Sequence, residues 1–163
     1  MDKLQNLEKK IGEVIGLEKA SQAAVEKLSA KGQLDKDGMN DKLLTIRKQD
    51  KTHQRSLEEL SMDLSKSQGV SLGRIDETAK KTEQKFSKIM EIYLGNDPDS
   101  SEALEFLCLA EAGGITHYEI LNAMASEIKN EKFSIDVQRI LAEKKSHQQE
   151  YTELAKQIAI GSR

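Results

Sequence analysis

Seven side chains in this sequence suit metal-ion chemistry: Glu18, Asp50, His53, Glu111, His117, Glu143 and His147. Carboxylate oxygens and imidazole nitrogens are the donors that hard and borderline divalent ions prefer. Asp50-x-x-His53, at i, i+3, puts both donors on one helix face. Glu143 and His147, at i, i+4, also share a face, although the more familiar helical metal pair is Glu-x-x-His. Each group interrupts an apolar stripe near its centre, where an ionised carboxylate is costly unless paired or metal-bound. Plainer readings stand beside these. Glu18 alone reads as a surface acid at the edge of its stripe, Asp50 and His53 as a hydrogen-bonded pair at a helix seam, and Lys144 could neutralise a carboxylate without any metal.

Other chemistries find little support. Cys108 is the only cysteine, so no intrachain disulfide or thiolate cage exists, and its apolar neighbours make it a packed rather than a reactive thiol. The loop Ala30–Gly38 contains Asp35-x-Asp37, but the other ligands of a calcium loop do not follow. His53 as a phospho-acceptor would want small neighbours, whereas Gln-Arg-Ser-Leu-Glu-Glu follows it. No glycine-rich phosphate loop occurs in a strand–turn–helix context. With 25 basic and 28 acidic residues, well mixed along the chain, no basic face for nucleic acid is expected. No apolar run approaches the roughly 18–20 residues of a membrane span, and the N-terminus has no signal-like apolar region. The expectation is a soluble, cytoplasmic protein.

The elements that must position these donors are helices. A composition with 33% charged and 4% aromatic residues and one Pro suits a helical domain with an aliphatic core. Spacings of three and four predict helices over Lys3–Leu28, Met39–Lys66, Ile75–Leu94, Glu102–Lys129 and Phe133–Ile160. Gly95-Asn-Asp-Pro-Asp-Ser is a strong stop, with Ser100 or Ser101 expected to cap the next helix. The third helix carries its apolar residues late, which predicts that it crosses the bundle or its end. In the fourth, His117 lies beside the stripe of Leu104, Leu107, Glu111, Tyr118 and Leu121, and Tyr118 reads as a core or hydrogen-bonded aromatic. Gly113-Gly114 costs about 1 kcal/mol per glycine in a helix interior, which suggests close approach of a partner helix or a local bend. Similar helix lengths bring the seven donors to one height, as a polar cluster inside one bundle.

The segments His117-Tyr-Glu-Ile, Glu143, Leu154-Ala and Gly16-Leu-Glu18-Lys, in an order of two helices, a short helix and two more, resemble the YciF-type stress proteins of the ferritin-like superfamily over most of residues 4–158. The resemblance implies a ferritin-like antiparallel four-helix bundle, all-α, with one extra short helix between core helices two and three. It implies a single domain over 1–163, a homodimer, and iron or manganese for oxidant handling. Glu18 matches the family's first-helix Glu, and Asp50-x-x-His53 its acid-x-x-His element with Asp for Glu. Thr116 stands where the family has an acid before His-Tyr-Glu, leaving Glu111 or His117 to substitute. Glu143 fits the last helix, while His147 falls one residue late. These departures imply an altered, single-metal or lost site. The alternative is a non-enzymatic dimeric stress protein with a metal-free polar core.

Overall fold

The computed structural model describes residues 2–34 and 38–161, so the Asp35-x-Asp37 fragment lies outside the described residues. Five helices follow in order: α1 Lys3–Ala30, α2 Met39–Gln68, α3 Leu72–Leu94, α4 Ser100–Ala125 and α5 Glu131–Ala159. No strand occurs among the described residues. Where boundaries depart from the periodicity, a cap explains the difference. The helix α4 is capped by Asp99, not by either serine. The Asp99 carboxylate accepts the Glu102 backbone N–H at 2.9 Å, and the Glu102 side chain accepts that of Asp99 at 3.0 Å. This reciprocal pair satisfies two donors, whereas three residues after Ser100 and Ser101 stand Ala103 and Leu104, which cannot return the second bond. Short of the expected Lys129, α4 ends at Ala125, and Asn130 then caps α5 by accepting the Phe133 N–H. Ser71 likewise opens α3 three residues before the predicted start.

Side-chain pairings give each helix its direction. Glu26 meets Arg47 and Gln22 meets Gln54, so α2 runs antiparallel to α1. Asp63 meets Lys132 while Gln49 meets His147, so α5 runs antiparallel to α2. The helix α4 packs between α1 and α5, antiparallel to both, and α1–α5 and α2–α4 are diagonal pairs whose backbones do not approach. These four helices form the bundle. Its interior holds two apolar clusters, one built on residues such as Ile11, Leu57, Leu121 and Val137, the other on Leu28, Leu43, Leu104 and Leu154. Between them, at the level of Glu18, Asp50, Glu111 and Lys144, lies a buried polar layer.

The third helix does not cross the bundle. It lies lengthwise on the outer side of α1 and parallel to it: Glu8 meets Ser71 and Arg74, Gly12 faces Ile75 and Thr78, and Gly16 faces Ala79 and Thr82. Gly12, Gly16, Ala20 and Ala24 recur every four residues along α1 and make a shallow groove of the i, i+4 kind that helices use to approach closely. A Cβ on Gly12 would stand 2.6 Å from the Ile75 carbonyl oxygen, and one on Gly16 2.5 Å from that of Ala79. At the N-terminus of α3, buried Glu8 accepts from Ser71 N–H at 2.7 Å and from Arg74 at 3.3 Å, placing a negative charge at the positive end of the helix dipole.

The close-approach glycines are therefore Gly12 and Gly16. Gly113 faces open space, and a Cβ on Gly114 would meet only the Lys144 Cε at 3.9 Å. Gly16→Ala should force α3 away from α1 and lower stability by about 1–3 kcal/mol, as overpacking does. Gly113→Ala should raise it by about 0.5–1 kcal/mol through helix propensity. Urea unfolding midpoints of the two variants check the pair, and equal responses would contradict the packing described.

Candidate functional site

The polar layer is assembled from one inward charged residue on each bundle helix: Glu18 from α1, Asp50 from α2, Glu111 from α4 and Lys144 from α5, all buried. Each falls in its helix's apolar register. Lys144, for example, follows Ile140 by four residues and precedes His147 by three, on a stripe that continues to Tyr151 and Leu154. The same periodicity that fills the core thus drives these charges into it. The Lys144 ammonium donates to Asp50 Oδ1 at 3.0 Å and to Glu18 Oε2 at 3.4 Å, and lies 3.0 Å from Glu111 Oε1 without hydrogen-bond alignment.

Two histidines complete the layer. His53 is fully buried, with Nδ1 3.6 Å from Glu18 Oε1 and 3.9 Å from Asp50 Oδ1, and its Nε2 lies 2.5 Å from Glu143 Oε2. His147 Nδ1 lies 3.5 Å from both Asp50 Oδ1 and Glu111 Oε1, and its Nε2 is 2.5 Å from Gln49 Oε1. The two rings stack with centroids 5.8 Å apart along the α2–α5 seam. Each ring turns one nitrogen towards the buried acids and the other towards a residue at the surface. Tyr118 donates its hydroxyl proton to Glu18 Oε1 at 2.6 Å, while the buried Tyr151 hydroxyl has no hydrogen-bond partner.

Electrostatics follow from burial set against pairing. Burial alone would pull the Lys144 ammonium down, but Asp50, Glu18 and Glu111 outweigh it and hold it well above lysine's ordinary value. Burial pushes Asp50 up, yet Lys144 and His147 more than compensate and hold it at about 2. For Glu18 burial wins over the attraction of Lys144, with Asp50's charge adding to it, and its carboxyl is raised. Burial also opposes charge on His147, and hydrogen bonding to Asp50 and Glu111 overcomes it, raising it to about 9. The inner layer therefore sets two cations, Lys144 and His147, against the carboxylates of Asp50 and Glu111 and the proton-favouring Glu18. Balance of this kind is what allows charge to remain inside a protein.

Of the seven donors predicted from the sequence, Glu18, Asp50, His53, Glu111 and His147 come together in the layer. Glu143 stands at the rim, its side chain 40% exposed, joined to the layer through His53 and to Arg139 at 3.3 Å. His117 faces another way: its Nδ1 lies 3.0 Å from Lys10 and 3.4 Å from Glu13 on α1, and Lys10 and Glu13 pair with each other. It sits one residue off the inward line that Glu111, Gly114, Tyr118 and Leu121 follow. Glu18 is buried, not a surface acid. Lys144 was legible only as a neighbour of Glu143, although its register within α5 was the available signal. Gln49 and Glu8 carried no signal that distinguishes them from surface residues.

Glu18, Asp50 and His53 each offer a donor atom, and the three atoms lie within 4.8 Å of one another in fully buried positions. Bonds of about 2.0–2.2 Å to an ion would put opposed donors about 4.4 Å apart, so a slight closing of these side chains lets the group hold a metal ion. No protein-family model matches the chain, and neither a curated protein nor a solved structure matches it.

The shifts set a pH dependence for the metal-free protein. His147 is raised on folding, so its contribution is complete below about 6.5 and is lost as pH rises through about 9. Asp50 is lowered, so its contribution is complete above 3.8 and is lost as pH falls towards about 2. Urea midpoints should decline between pH 6.5 and 9, and His147→Gln should flatten that limb and also weaken the acid limb, which Lys144 would then sustain without His147. An unchanged alkaline slope in the variant would contradict the pairing of His147 with Asp50 and Glu111.

Proposed function

We propose that this chain is a ferritin-like, stress-associated protein that holds one iron or manganese ion on Glu18, Asp50 and His53 and uses it in handling oxidants. The observation that carries the reading is the convergence of those three buried donors. Two carboxylates and one imidazole favour a hard or borderline cation and suit iron and manganese equally. The bundle order also supports it, because α3 links two helices that run the same way, α2 and α4, as a crossover connection does in a ferritin-like fold.

Within the site, this chain's residues would orient the donors. Tyr118 fixes the Glu18 carboxylate by its hydrogen bond, and Glu143 holds the His53 ring by its outer nitrogen, the kind of supporting contact that sets the direction of a ligating histidine. The two apolar clusters exclude water from above and below. When bound, iron or manganese would supply the one-electron chemistry that no side chain here offers. A homodimer belongs to the same proposal, and the uncharged outer strip of α4, with Leu109, Gly113 and Ile120 exposed, supports it.

A second reading is favoured by Lys144, whose ammonium lies within 3.4 Å of three carboxylates. In it the layer is a metal-free polar core that fixes how the helices pair. Elemental analysis after loading with Mn²⁺, or anaerobically with Fe²⁺, separates the two. The wild type should retain metal and gain about 2.7 kcal/mol of stability at a free-ion concentration a hundredfold above Kd, and Asp50→Asn with His53→Ala should abolish both. No retained metal and an unchanged Tm would leave the polar core as the function of the layer.

A further inference from the structure

We infer that the polar layer contains two adjoining cation loci sharing Asp50, and that Lys144 is the built-in occupant of the second, so that the chain takes one divalent ion rather than two. This rests on the metal reading of the first locus. That locus is bounded by Glu18, Asp50 and His53. His53 Nδ1 is fully buried there without a hydrogen-bond partner, 3.6 Å from Glu18 Oε1 and 3.9 Å from Asp50 Oδ1, and the other Asp50 oxygen, Oδ2, is likewise buried and unpartnered, an arrangement that a cation accepting oxygen and nitrogen donors would complete.

The second locus is bounded by Asp50 Oδ1, Glu111 Oε1 and His147 Nδ1. Lys144 Nζ lies 3.0 Å from each of the two oxygens, and His147 Nδ1 lies 3.5 Å from the same two. Three bundle helices each send a carboxylate into the layer, whereas α5 sends the lysine and turns its neighbouring acid, Glu143, to the rim. An ammonium supplies one positive charge at about 3 Å from its oxygens, and a divalent ion supplies two at about 2 Å. Occupied by Lys144, the Asp50–Glu111 pair is partly neutralised by a tethered cation that cannot dissociate. Lys144 also reaches Glu18 at 3.4 Å, so it borders the first locus and sets its charge. Lys144 is thus a specificity-determining residue: it limits the number of ions without ligating any.

Anaerobic titration with Co²⁺, read by visible absorption and by elemental analysis after desalting, tests this on the wild type and on Lys144→Met. The expected result is one Co²⁺ per wild-type chain and two per variant chain, with the variant's lowered Tm restored by Co²⁺. If the wild type binds none and the variant binds at least one, the Lys144 locus stands and the proposed metal function fails. Equal stoichiometry in the two proteins, or two ions in the wild type, overturns the inference, and with one ion in each the metal function survives. Should the variant fail to fold, wild-type protein with ¹⁵N-labelled lysine decides. One slowly exchanging ammonium resonance that persists through saturation with diamagnetic Zn²⁺ supports the inference, and its loss on saturation overturns it.

Discussion

The ammonium of Lys144 lies within 3.0–3.4 Å of carboxylates from three other helices, sealed between two apolar clusters. Removing any one charge from such a group leaves the others buried and uncompensated, which costs about 3–5 kcal/mol, whereas the complete group adds little net stability over a well-packed apolar layer. The layer therefore matters more for which helices pair, and at what height, than for how firmly they hold. An axial shift of one turn in any helix would carry its charge into an apolar cluster and leave an unpaired partner behind. Long Leu- and Ile-rich stripes tolerate such slips. A four-helix ionic contact does not.

The outer helix reinforces the same register. Because α3 lies in the small-residue groove of α1, with Glu8 at its N-terminus, α1 is clamped on its outer side as well as its inner. Glu18 stands two residues beyond Gly16, so the contact that seats α3 and the contact that anchors the polar layer are set by one short stretch of α1. The α2–α5 seam is looser, with sparse backbone approach, and its width is filled by the stacked rings of His53 and His147. The seam is accordingly the side on which the layer communicates with the surface, through Glu143 and Gln49.

Much of the fold was legible because helical periodicity is a local property. Five helices and the burial of Glu18, Asp50, His53, Glu111 and His147 at mid-height follow from spacings of three and four. What escaped was positional detail carried by other elements. The direction of α3 depends on a groove formed by Gly12 and Gly16, while the sequence drew attention to the adjacent glycines Gly113 and Gly114. His117 and Glu143 share their helices with inward residues, but one 100° step turns each towards the surface. That step is beyond what an apolar stripe defines when polar residues stand on either side of it.

By itself, then, the sequence determined an all-helical chain whose core must accommodate charge, since acids and histidines occupy positions that periodicity assigns to the interior. It also contained the means of neutralising that charge, because Lys144 lies in the buried register of its own helix. Only the tertiary structure decided that Lys144, rather than His117 or Glu143, meets the three acids. It also decided that Glu18, Asp50 and His53 converge closely enough for one ion. The physical reason is range: periodicity says which way a side chain points from its own axis, and electrostatic partnership depends on distances between axes, which packing alone sets.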